Sequence, residues 1–75
     1  MKEYEVVAKL YNACAGAGRP QTFFEEVALE NPDDYVQAKH GGDFSKFIKK
    51  VLPDGQICYH YENGTITYRY EFTEV

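Results

Sequence analysis

The sequence predicts a small α+β domain: an antiparallel or mixed β-sheet with one short helix on one face, in the order β-β-α-β-β-β. Three observations carry that reading. An Asn63-Gly64 pair lies between two runs of alternating apolar and polar residues. Helix start and stop signals bracket residues 31–40. Two runs, at 3–11 and 22–29, are rich in Tyr, Val and Phe, which suit extended backbone.

The C-terminal hairpin is the sharpest of these. A type I′ turn at Asn63-Gly64 needs positive φ at both central residues, and Asn-Gly supplies them. Folding about that turn sets Glu62 opposite Thr65, Tyr61 opposite Ile66 and Tyr59 opposite Tyr68. One face then collects Ile57, Tyr59, Tyr61, Ile66, Tyr68, Tyr70 and Phe72. The other collects Cys58, His60, Glu62, Thr65, Thr67, Arg69 and Glu71. Such a division marks a hairpin with one buried face, because a slip of one residue would send the aromatic set into water.

Pro53-Asp54-Gly55 is a second turn: proline presets φ and glycine supplies the left-handed corner. The segment before it reads two ways. Phe44, Phe47, Ile48 and Val51 fall at helical spacing. A turn leading into a strand, however, favours a bulged strand over about 45–52, paired with 57–61. The strand is preferred, and a second helix at 43–52 is the alternative.

Residues 31–40 read as a helix. Asn31 suits the N-cap and Pro32 the first position, and Asp33 and Asp34 suit the positive end of the dipole. Lys39 and His40 suit the other end, and Gly41-Gly42 stops it. Residues 3–11 fit a strand better than a helix, and 22–29 supply its partner across a small-residue loop. An N-terminal helix is the alternative.

The chain has 75 residues, enough for one domain spanning 1–75 and too few for two. With 7 Tyr, 5 Phe and no Trp, the core must be tyrosine- and phenylalanine-built. No run approaches the roughly 18–20 apolar residues of a membrane span, and the N-terminus lacks the apolar stretch of a secretory signal. A cytoplasmic location is therefore expected, with Cys14 and Cys58 as reduced thiols.

The net charge of −4 discourages binding to duplex nucleic acid or anionic lipid. It is unevenly spread: Glu25, Glu26, Glu30, Asp33 and Asp34 lie in a stretch without Lys or Arg, and Lys39, Lys46, Lys49 and Lys50 form a small basic cluster. Gly16-Ala17-Gly18-Arg19 lacks the third glycine and the Lys-Ser/Thr ending of a phosphate-binding loop. Cys58 and His60 share a strand face but lack metal-site spacing to Cys14 or His40. Glu25 and Glu26 point to opposite faces, which spoils them as an acid/base pair. The tyrosine face carries no Lys or Arg, so core packing explains it better than base stacking.

No catalytic, cofactor-binding or metal-binding residue is assigned. The expected function is that of a protein-interaction or regulatory module rather than an enzyme. Its expected surface comprises Tyr59, Tyr61, Tyr68 and Tyr70, with the acidic run Glu25, Glu26, Glu30, Asp33 and Asp34. The alternative is an acidic inhibitor, of the kind phages and mobile elements carry, whose carboxylates imitate nucleic-acid phosphates. A small enzyme or metal protein ranks below both. The expected partner is an unidentified protein, with weak self-association, no duplex nucleic acid and no membrane. One short helix covers a five-stranded sheet incompletely, which motivates the self-association.

Overall fold

Alternation along every strand sorts the side chains onto two faces of one sheet. The computed structural model describes residues 1–12 and 21–75. The strands are β1 (Lys2–Asn12), β2 (Gln21–Leu29), β3 (Ile48–Val51), β4 (Ile57–Asn63) and β5 (Ile66–Glu74). Helix α1 (Pro32–His40) and a 3-10 helix (Gly41–Lys46) lie between β2 and β3. The sheet order is β2-β1-β5-β4-β3, and every neighbouring pair is antiparallel. The α+β fold and the element order agree with the sequence reading. The Gly16-Ala17-Gly18-Arg19 loop and Cys14 lie outside the described residues.

The N-terminal segment is a strand, not the alternative helix. Segment 43–52 divides: its first part closes the 3-10 helix and its second part is β3, paired with β4 from Ile48↔His60 to Val51↔Ile57. The helical spacing of the phenylalanines is real but local. Phe44 and Phe47 pack against the core from this short helical turn, while Ile48 and Val51 stand exposed on an edge strand.

Helix α1 begins as its caps dictate. Asn31 Oδ1 accepts a hydrogen bond from the Asp33 N–H at 3.0 Å, and Pro32 occupies the first turn. At the other end the Gly41 N–H donates to the Gln37 carbonyl. The helix is short, so packing holds it. Pro32 and Val36 are buried against the sheet, and Tyr35 meets Phe72 edge-on at 5.4 Å and Tyr70 at 6.1 Å.

The covered face of the sheet supplies the core: Tyr4, Val6, Tyr59, Tyr70 and Phe72, closed by Val36. Phe72 sits at its centre, between Tyr4 at 6.1 Å and Tyr59 at 5.5 Å, both edge-on.

The Pro53-Asp54-Gly55 turn forms as read. The Gly55 N–H donates to the Leu52 carbonyl at 2.9 Å, and Asp54 Oδ1 accepts from the Gln56 N–H. The C-terminal turn differs from the expected one. Asn63 pairs with Ile66 in the ladder, so the loop residues are Gly64 and Thr65. Positive φ occurs at Gly64 (58°) and at no non-glycine residue among those described. That is the signature of glycine at the first corner of a type II′ turn, not of type I′. Tyr59 consequently faces Tyr70 and Tyr61 faces Tyr68, two residues from the expected register. A two-residue shift leaves every side chain on its own face, so alternation alone could not detect it. The observed register gains aromatic pairs directly across the ladder, including the stacked Tyr61–Tyr68 rings at 6.2 Å.

Candidate functional site

Sheet order decides which backbone is left free. β5 lies in the sheet interior between β1 and β4, so the C-terminal strand offers no edge. The two edges are β2 and β3. The outer N–H and C=O groups of an edge strand are a template for another strand.

The tyrosines named from sequence separate into two groups. Tyr59 and Tyr70 are buried in the core. The Tyr59 hydroxyl donates to Asp33 Oδ1, and Tyr70 shares a 2.6 Å hydrogen bond with His40 Nε2. Burial first, and then the Asp33 carboxylate, pushes the Tyr59 hydroxyl well above the usual tyrosine range. Tyr61 and Tyr68 are half-buried under Phe47 and keep some accessible surface.

The acidic run also separates. Asp33 faces inward: burial pushes its carboxyl up, but the Tyr59 hydroxyl and the Lys49 ammonium at 3.0 Å together hold it below the ordinary value. Glu25 lies on the helix side of β2 and accepts a 2.6 Å hydrogen bond from the Tyr35 hydroxyl. Glu26 lies on the opposite, uncovered face. Glu30 and Asp34 are exposed near the helix start. The five acids therefore form no single patch.

Two features of β2 were missed in the sequence reading. The first is a like-charge pair: Glu26 stands directly across the ladder from Glu5 on the uncovered face. Such a pair is destabilising. Among the described residues neither carboxylate joins an ion pair. The second is the Phe23-Phe24 doublet, 57% and 73% exposed. On the helix side, where Phe23 points, an open hollow of about 520 Å³ is lined also by Tyr35 and Lys39. The signal was present in the sequence: Phe-Phe-Glu-Glu is a break in strand alternation, so each face of the edge receives one aromatic and one acid.

β3 is the opposite edge. All four of its residues are exposed, and its Lys49 and Lys50 fall on the helix side and the uncovered side respectively. Lys49 is engaged by Asp33 and lies 5.7 Å from the Tyr59 ring centroid. Lys50 joins no ion pair among the described residues.

Cys58 and His60 share the uncovered face, beside a shallow hollow of about 300 Å³ that Ile48, Lys50 and Arg69 complete. They do not form a nucleophile–base pair. The Cys58 thiol donates to Gln56 Oε1 at 3.7 Å, and His60 Nε2 meets Glu62 at 3.4 Å. His40 lies on the other side of the sheet, against Tyr70. Among the described residues, no helix is long and apolar enough to cross a membrane. Comparison with known protein families, characterised proteins and solved structures finds no match to this chain.

Proposed function

We propose that this chain is a protein-interaction module of the cytoplasm, acting without catalysis, and that its docking element is the β2 edge. The observation that carries the reading is the Glu5–Glu26 pair, without an ion-pair partner among the described residues, on a nine-residue edge strand that also exposes Phe23 and Phe24. An extended partner segment adding to this edge would satisfy its free backbone groups. Lys or Arg on that segment would relieve the like-charge pair, and apolar residues would cover the two rings. The acidic edge thus selects a basic strand, and pairing through backbone requires a protein rather than a nucleic acid.

A photo-crosslinking residue tests this at two sites: Thr22 on the β2 edge, and Thr67 in the middle of the uncovered face. The expected result is a discrete protein adduct from position 22 that Glu26→Lys abolishes. Adducts from position 67 only, or none from position 22, would overturn the reading.

A further inference from the structure

The two edges of this sheet are complementary to one another. β2 and β3 run in the same direction, because β1 and β4 are antiparallel to β2 and β3 respectively, and both are antiparallel to β5. A second copy continuing the sheet, with its helix layer on the same side, therefore sets its β3 beside β2 in parallel. One register then matches every residue of β3. Phe24 meets Ile48, Glu25 meets Lys49, Glu26 meets Lys50 and Val27 meets Val51. Face matches face throughout: Phe24, Glu26, Ile48 and Lys50 lie on the uncovered side, and Glu25, Val27, Lys49 and Val51 on the helix side.

We propose that the chain self-associates head to tail, the acidic β2 edge of one copy pairing with the basic β3 edge of the next. The proposal rests on the reading of β2 as a docking edge and names its occupant as a second copy of this chain. Three observations favour that occupant. Both edges expose apolar side chains: Phe24 at 73%, Ile48 at 62% and Val51 at 65%. Lys50 has no ion-pair partner among the described residues, and in the proposed register it reaches the Glu5–Glu26 pair. The charges also act as a filter. Edge charges commonly guard against sheet-to-sheet pairing. Here Glu meeting Glu and Lys meeting Lys block β2–β2 and β3–β3 contacts, while β2–β3 stays open. Such a contact is heterologous, so it propagates rather than closing at a dimer. Only four residues of β3 take part, so association is weak, in the range of roughly 100 µM to 1 mM.

Sedimentation equilibrium at low salt decides the matter, over concentrations from about 10 µM to about 1 mM. The expected average mass rises past that of a dimer and falls as salt is added. Glu26→Lys and Lys50→Glu each weaken association roughly tenfold or more, since each sets like charges together. Neither residue has an ion-pair partner among the described residues, so both variants retain the fold, which an NMR fingerprint verifies. Mixing the two variants in equal amounts restores association, because each then offers the edge the other lacks. A mass that stays monomeric throughout, or a Lys50→Glu variant that associates like the parent, overturns the proposal. A synthetic peptide of alternating lysine and valine separates the two levels. If the chain is monomeric yet binds this peptide, and Glu26→Lys loses it, the docking edge stands and the second copy is the wrong occupant. If neither associates, both readings fall.

Discussion

Two antiparallel pairs of this sheet, β4–β5 and β1–β2, meet opposite fates. In β4–β5, alternation is strict, and Tyr59, Tyr70 and Phe72 are buried on one face. In β1–β2, the inner strand alternates and buries Tyr4 and Val6, but the outer strand carries Phe23-Phe24-Glu25-Glu26 and leaves both rings exposed. A doublet cannot serve a one-sided core, because successive residues point to opposite faces. It can serve an edge that is approached from the side, since each face then offers the same pair of groups. Places where a sequence breaks a local folding rule are often its working parts.

The widest gap between the two pairs is energetic. Phe72 is 0% exposed and touches rings from β1, β4 and α1. Phe72→Ala is expected to cost about 3–5 kcal/mol, enough to unfold most of a domain this small. Phe24→Ala removes the same ring from the edge and should change stability by no more than about 0.5 kcal/mol. Urea unfolding of the two variants checks this. A Phe24→Ala loss comparable to that of Phe72→Ala would show that the edge ring belongs to the core.

The same contrast explains what could be read from sequence. The β4–β5 faces were legible because seven residues on each side obey one period. The cap pair of α1 was legible because Asn31 and Pro32 act locally. The order of strands was not legible, since it depends on long-range pairing of β1 with β5, and so the identity of the edges was hidden. Knowledge of the edges is what places Glu25-Glu26 and Lys49-Lys50 on the two outer strands of the sheet rather than leaving them as scattered charges. The tyrosine face was legible as core, but the split between buried Tyr59 and Tyr70 and half-buried Tyr61 and Tyr68 was out of reach. The 3-10 helix, with Phe44 and Phe47, extends the cover that α1 alone could not give.

The turn of β4–β5 offers a smaller effect. Gly64 has a φ of 58°, and a Cβ there would meet nothing within 4 Å. Gly64→Val therefore acts through backbone strain alone, at roughly 1 kcal/mol or more. Asn63 is a paired strand residue without positive φ. Asn63→Ala should accordingly change stability by less than about 0.5 kcal/mol. A type I′ turn would make both substitutions costly. Chemical denaturation of the pair thus tests the corrected register as well as the glycine.

The smallest effect separates the two pairs by pH. His40 packs against Phe47, Tyr68 and Tyr70, on the β4–β5 side, with ring centroids 4.8, 4.6 and 5.5 Å away. Burial lowers its pKa below 6.5. Lys39 adds to the shift, and Asp43 opposes it in part. A depressed value means that the unfolded chain takes up a proton before the folded one does. Stability is then fully present above pH 6.5 and declines as pH falls towards the folded value. Protonation also removes the ring nitrogen's ability to accept from the Tyr70 hydroxyl. His40→Gln keeps a polar group at the site and should flatten the dependence. Amide protection, corrected for the intrinsic exchange rate, should fall with falling pH around Tyr68 and Tyr70 before it does so in β2, where no histidine lies. Equal loss of protection in both strand pairs, or an unchanged pH slope in His40→Gln, would remove His40 as the cause.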